Sequence, residues 1–469
     1  MNNDLQKIHN SSMEILEKSG MRFQHPDIID LLREKGIRVA GDTAFFKEQQ
    51  LMEWVKKAPA SFTVRARNPI YDITLGGDHM EVAAGYGAPY MIERSGKSRN
   101  ATLDDYIQFV KLVHQSEHFN VNGGILVEPS DLNSRYNAPV MLYNTITHSD
   151  KALIGMEGNA VQMGMLMDML KIVFGGEDEL LKTPRMMTIV NTLSPLQMDR
   201  NALDTLIAYV SHGQPVFITP AAMAGFTAPI TLAGMIALSN AETLAGIAVT
   251  QMIREGVPVA YGNQSTSADM RSGAFVVGSP EHVLSISLGA KLAKEYGLPC
   301  RSGGGSSDAT QVCVQSGYES MMLLSACSNA NVNMVILAAG ALDSVKSMSV
   351  DKFIVDLEVI SLVKRIREGV TINDETLVVD LINDAGPGGE FMTSMHTAKL
   401  CRSEVWTPEI GVRGRRGEKS HGEMILANID RKKDQMLTAY EQPRIPAEMK
   451  TDLTNYLLAK KIDGKYLRG

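Results

Sequence analysis

Apolar positions recur along this chain with two different periods. Through the first 65 residues the period is helical. IHNSSMEILEKSG sets Ile8, Met13, Ile15 and Leu16 near one face and stops at Gly20. HPDIIDLLREKG repeats the design, with Pro26 and Asp27 opening a helix that Gly36 closes. KEQQLMEWVKKAP supplies a third, ended by Pro59. From about residue 82 a larger unit takes over: a short apolar run that ends in small or polar residues, then a helical pattern. The runs are EVAAGYGAP, FNVNGGILVEP, KALIGMEG, RMMTIVNTLSP, PVFITPAAMAG, PVAYGNQSTS, LPCRSGGGSSD and NMVILAAGAL, with apolar starts near 82, 121, 152, 186, 216, 257, 298 and 332. That spacing suits a strand, a loop, a helix and a return loop. LDDYIQFVKLVHQ, PEHVLSISLGAKLAKEYG and SGYESMMLLSACSNA are the plainest of the intervening helices.

Eight such units predict an α/β fold of the (β/α)8 TIM-barrel type, whose chemistry sits at the C-terminal strand ends. The expected organisation is an N-terminal helical segment (1–80), the barrel (81–350) and a helical extension packed on it (351–469). The strand ends then fall at 85–89, 122–124, 156–158, 191–195, 219–225, 263–267, 303–308 and 340–343. Segment 409–423, EIGVRGRRGEKSHGE, reads as a basic, glycine-bearing loop.

Composition narrows the field. A net charge of −7 offers no nucleic-acid footprint, and four cysteines in 469 residues make no disulfide framework, which suits a reducing cytoplasm. The N-terminus lacks the basic-then-apolar pattern of a signal peptide, and no run of 18 apolar residues is present. The 28 methionines read mainly as filler of irregular core gaps.

The motifs name no reaction by themselves. Residues 300–317, CRSGGGSSDATQVCVQSG, place a glycine triplet after the seventh strand, where phosphate-binding barrels hold their anion. The loop has no lysine, however, and Asp308 would repel a phosphate. HQSEH at 114–118 matches a zinc-binding pattern, but on the outer ring of helices, where a solvated face is the expectation. No cysteine pair, nucleophile elbow or complete dinucleotide fingerprint is present.

Three ordered segments carry a resemblance over nearly the whole chain: IHNSSMEILEKSGMRFQHPDIIDLLREKG with APASFTVRARNP, then PCRSGGGSSDATQVCVQSGYES, then AGPGGEFMTSMHTAKLCRSEVWTP. Together they resemble the trimethylamine methyltransferase family of corrinoid-dependent enzymes. The resemblance implies a barrel that moves a methyl group from a methylated amine to cobalt on a separate corrinoid protein, and a homo-oligomer. The founding members use pyrrolysine for trimethylamine. This sequence has none; the corresponding strand end reads AAGALDS, with Ala341 or Leu342 at or beside that position. Relatives without pyrrolysine resemble quaternary-amine methyltransferases, glycine betaine being the leading substrate and dimethylglycine its product.

On that reading the chain binds no cofactor, and cob(I)alamin arrives on the partner. The D-x-H-x-x-G signature of corrinoid domains is absent. A quaternary ammonium is held by aromatic faces and carboxylates. Tyr86, Tyr90, Tyr261 and Phe353 are the candidate rings, and Glu157, Asp308 and Glu319 the candidate acids. A substrate carboxylate would be received by Arg271, Arg301 or the N–H groups of Gly303, Gly304, Gly305 and Ser306. The glycine backbone is thus expected to face substrate or corrin, so that Gly304→Val abolishes turnover and leaves unfolding unchanged. Two other readings remain open: a phosphate-binding aldolase or isomerase, and a non-catalytic betaine-binding protein.

Overall fold

A computed structural model of the chain describes residues 1–414 and 419–469; the centre of the basic loop expected at 409–423, residues 415–418, lies outside the described residues. Eight strands form the sheet the repeat predicts: β1 (Glu81–Val82), β2 (Val121–Gly123), β3 (Ala152–Ile154), β4 (Met186–Asn191), β5 (Val216–Thr219), β6 (Val259–Asn263), β7 (Cys300–Gly303) and β8 (Met334–Ile336). Their order runs β2 to β8 in sequence and returns to β1 beside β8, all parallel where paired. Strand residues are buried almost throughout, as a sheet covered on both faces requires. The seam between β1 and β2 carries no ladder. It is stitched instead by Gly87 N–H donating to Ile125 O (2.6 Å) and Asn120 donating to Glu81 (3.2 Å).

Three N-terminal helices precede the barrel, α1 (Asn3–Lys18), α2 (Pro26–Glu34) and α3 (Glu48–Val55). Each strand is then followed by one major helix: α4 (Leu103–Gln115), α5 (Asn137–His148), α6 (Ala160–Phe174), α7 (Arg200–Ser211), α8 (Leu232–Ile253), α9 (Pro280–Glu295), α10 (Val314–Asn329) and α11 (Val350–Glu368). By length and composition α8 could cross a membrane, with mean hydropathy 1.5 over an 18-residue window, but 83% of that window is buried against the barrel and the N-terminal helices. Two late helices, α12 (His421–Thr438) and α13 (Ala447–Ala459), pack on the outside of the ring.

Short strands invisible to the repeat cover the barrel mouth. Tyr90–Ile92, Ser98–Asn100, Ala341–Leu342 and Ser347–Met348 form one small sheet, and Met223–Ala224 pairs with Thr266–Ser267 in another. Beneath them lies an ion pair with both side chains fully buried. Lys352 Nζ lies 2.6 Å from both Asp356 oxygens and donates to Ser320 Oγ (2.6 Å) and Gly305 O (3.1 Å), while Asp356 accepts Gly340 N–H at 2.8 Å. One turn of α11 therefore grips the ends of both β7 and β8. The HQSEH pattern does not make a helix face, because α4 ends at Gln115 and Ser116 is already extended.

Candidate active site at the barrel mouth

Alternation along β7 sends Arg301 and Gly303 to one face of the sheet. Arg301 is 4% exposed, and its Nη1 donates to Gln264 Oε1 at 3.3 Å. Among the described residues no carboxylate pairs with it, and its Nε has no hydrogen-bond partner. Burial pushes the guanidinium down to about 10, so it stays charged at neutral pH. Gln264 Nε2 and Ser306 Oγ are buried and equally unpartnered. The glutamine orientation is fixed by its neighbour, since an NH2 turned toward a guanidinium would set donor against donor. Arg301 on β7 thus meets Gln264 after β6, and Ser306 in the loop after β7 is a further buried donor; among the described residues none of these donor atoms has a receiver. Proteins rarely tolerate one such group, because each forfeits its hydration without return.

The other half of the mouth is acidic and aromatic. Tyr86 follows β1, crosses to donate to Gly155 O (3.2 Å) and lies so close to Gly124 that a Cβ there would sit 2.8 Å from the ring. Burial raises its hydroxyl well above the ordinary value; the Glu157 carboxylate adds to this, and the Arg301 guanidinium pulls the other way. The ring therefore stands within electrostatic reach of both charges. Glu157 accepts from Asn191 Nδ2, at 3.2 Å to each oxygen, and burial raises its carboxyl. It borders a cavity of about 260 Å³ that Asn191, Thr192, Leu193 and Asp199 also line. The buried donors on and after β6 and β7 thus suit an anion, and a carboxylate and a ring suit a cation.

Other candidates fall elsewhere. Tyr261 is 2% exposed and points outward from β6, donating to Asn240 at 3.1 Å and stacking on Tyr296. Phe353 packs between Phe109 and Phe119 in the shell of helices. Tyr90 is half-exposed in the covering sheet, and Arg271 is exposed on a turn after β6. Asp308 is spent on the protein, accepting from Val277 N–H (2.9 Å), Gly278 N–H (2.8 Å) and Ser344 Oγ (2.8 Å). Glu319 accepts from Ser307 Oγ (2.5 Å), Asp308 N–H (2.9 Å) and Gln315 Nε2 (2.8 Å).

The triplet itself corrects the expectation that a guest lies on its backbone. A Cβ at Gly303 would be 2.3 Å from Gln264 Oε1, one at Gly304 would be 2.8 Å from Val335 Cγ1, and one at Gly305 would be 2.3 Å from Ala338 O. Gly305 also has φ +82, where side chains are strained. The atoms brought up against this backbone are the protein's own. Gly304→Val must then disturb the core as well as any function.

Gln264 and Asn191 escaped the sequence reading, since a lone amide in a polar loop carries no pattern. Glu242 did carry one. It is the single acid in apolar α8, and it holds the loop after β4 by accepting from the Thr192 hydroxyl, Ser194 Oγ (2.9 Å) and Leu196 N–H (2.8 Å). Ala341 and Leu342 are buried, and Leu342 packs with Ile92 and Ala309. Apolar packing fills the place where a special residue would stand.

The fold is that of a (β/α)8-barrel enzyme, an architecture whose chemistry sits at the C-terminal strand ends. The family follows from comparison with known proteins. A family model described as trimethylamine methyltransferase matches residues 1–464, and the chain belongs to that family. Among its relatives is the glycine betaine methyltransferase of Desulfitobacterium hafniense (strain Y51), 40% identical over 87% of this chain and 85% of that protein. The proline betaine:corrinoid methyltransferase of Eubacterium limosum is 29% identical over 87% of this chain and 85% of that one. The crystal structure of the Methanosarcina barkeri monomethylamine methyltransferase shares the fold, with a TM-score of 0.53 and 12% identity across 93% of each chain.

Proposed function

We propose that this enzyme takes a methyl group from a quaternary amine bearing a carboxylate, glycine betaine first, and delivers it to a corrinoid on a separate protein. The observation that carries the substrate class is the buried Arg301, without a carboxylate partner among the described residues, with the orphaned donor of Gln264 beside it and that of Ser306 in the loop that follows β7. A carboxylate is the acceptor such donors lack, whereas trimethylamine, protonated at neutral pH, offers none. Two relatives are named for betaines, each a carboxylate beside a quaternary nitrogen.

The chemistry asks little of the protein beyond position. The corrinoid supplies a Co(I) nucleophile. The C–N bond that breaks returns its electron pair to nitrogen, so the amine leaves neutral and no proton donor is required. Arg301, Gln264 and Ser306 hold the carboxylate end, and Glu157 with the Tyr86 ring steadies the ammonium. Together they align one N–CH3 bond for attack, which is where orientation contributes to rate. Glu157 must be ionised to serve, and a bound cation would lower its raised carboxyl.

Mixing the enzyme, reduced corrinoid protein and glycine betaine should give methyl-cobalt absorbance and dimethylglycine in equal amounts. No turnover with any of glycine betaine, proline betaine, carnitine or choline refutes the reading. Calorimetry separates the alternatives: inorganic phosphate that competes with betaine at Arg301 favours a phosphate-handling barrel. Tight betaine binding without methyl transfer to several corrinoid proteins marks a binding protein.

A further inference from the structure

Residues 21–25 read as a joint between α1 and α2, yet they reach the elements around Glu157. Met21–Phe23 is a short strand that pairs in parallel with Gln197–Met198, in the loop after β4. Arg22 N–H donates to Leu196 O (2.9 Å) and Gln24 N–H to Met198 O (3.0 Å). Glu242 holds the same loop from α8. The loop runs from Asn191, which donates to Glu157, to Asp199, which caps α7, and both residues line the cavity beside Glu157.

His25 makes a second contact, one turn further on. It caps α2 by accepting Asp27 N–H on Nδ1 (3.2 Å), which leaves its ring proton on Nε2. That nitrogen lies 3.2 Å from Asp204 Oδ1 on α7, and both side chains are 7% exposed. The other oxygen of Asp204 accepts Ala160 N–H (3.1 Å), in the first turn of α6; Arg200, largely exposed, stands 4.0 Å from it. Thr205, the next residue of α7, accepts Gly158 N–H at 3.0 Å. Glu157 stands immediately before this gripped stretch.

A buried imidazole and carboxylate are a costly way to join two helices, since hydrocarbon of similar volume would often hold them as firmly. What the pair adds is direction. With Oδ1 facing His25, Asp204 presents Oδ2 to Ala160, and a site for a charged ligand needs its groups held to within about 0.5 Å. We infer that His25, acting through Asp204, is a positioning residue for Glu157, so that the chain ahead of the barrel completes the group that meets the substrate's cation. The inference rests on the reading of Glu157 as the carboxylate that steadies the ammonium.

Calorimetry with glycine betaine and with its carbon isostere, carbon in place of nitrogen, reads that group alone, because the two ligands differ in the cationic charge. The wild type should prefer betaine, and Glu157→Gln should lose the preference. His25→Ala should lower it roughly 10-fold with affinity for the isostere unchanged, the scale of a contact one step removed from a charged site. Asp204→Asn, whose NH2 must face one of two N–H groups, should do the same. His25→Gln, which returns an N–H to Asp204, should keep most of the preference. In the Glu157→Gln background His25→Ala should cost nothing more. Thermal midpoints check that each variant is folded. A wild type without the preference, or a Glu157→Gln enzyme that keeps it, overturns the reading of Glu157 and this inference with it. If Glu157→Gln loses the preference while folded His25→Ala and Asp204→Asn keep it, or weaken both ligands equally, His25 is structural and the inference alone fails.

Discussion

Arg301 sits where a protein concerned only with stability would place a hydrocarbon. A buried cation without a counter-ion is held against its desolvation, and truncating it to a chain of similar shape should relieve that burden. Arg301→Met is therefore expected to leave the thermal midpoint unchanged or raised while KM for glycine betaine rises roughly 100-fold, the scale of one or two charge-assisted hydrogen bonds. Midpoint and binding falling together would make Arg301 structural. Asp308 should behave in the opposite way. Its oxygens brace three loops, so Asp308→Asn should lower stability by about 1–2 kcal/mol, and should weaken a betaine and its uncharged carbon isostere equally. Of the residues named from sequence, Tyr86 and Glu157 follow strand ends and Arg301 stands on β7 itself, all three within electrostatic reach of one another through Tyr86. Tyr261 and Phe353 could not be told from them, since facing inward or outward depends on a register that composition does not carry.

At the scale of elements, the strand starts read from the sequence lie within two or three residues of those observed, because small-residue apolar runs mark strands buried on both faces. The covering sheet was illegible. Strands of two or three residues have no period, and their pairing joins segments some 250 residues apart, as Tyr90 with Ser347. The Lys352–Asp356 grip was likewise hidden in a helix that looked merely charged. It supports a sharp expectation. Lys352→Met leaves a carboxylate buried without its cation and should cost about 3–5 kcal/mol; adding Asp356→Leu should restore most of that loss in chemical denaturation. A double variant as weak as the single would show that the pair supports more than itself. Gly304→Val should lower stability by about 1–3 kcal/mol through overpacking against Val335, whatever it does to turnover.

For the whole molecule, buried imidazoles set the acid limit. His282 is fully buried, with Nδ1 donating to Val277 O at 2.8 Å, and burial pushes it down to about 4 from the usual 6.5. Between those values the unfolded chain binds a proton that the folded one refuses. The stability His282 permits is thus intact above pH 6.5 and is lost as pH falls toward 4, by about 3 kcal/mol in full. His118 and His148 are pushed down to about 4 in the same direction. Glu157 and Glu242, raised by burial, act in the opposite sense. Comparing wild type with His282→Gln isolates the imidazole: the variant's thermal midpoint should fall less between pH 7 and 5. Parallel profiles would refute the account.

The unlaced seam between β1 and β2 has a consequence in time. Strands β2 to β8 each pair with the strand next in sequence, so that arc can assemble as the chain lengthens. β1 pairs with β8 alone, some 250 residues away, and Glu81 N–H finds its acceptor only at Asn333. Closing so long a loop must wait until the rest of the arc gives it a place to land. Pulse-labelled exchange during refolding should therefore find the amides of 81–87 protected last, and protection of β1 before β8 would contradict this. Tyr86 rides on that final stave. A half-built barrel consequently has no complete mouth, and a ligand held there would stabilise only the finished vessel and none of its predecessors.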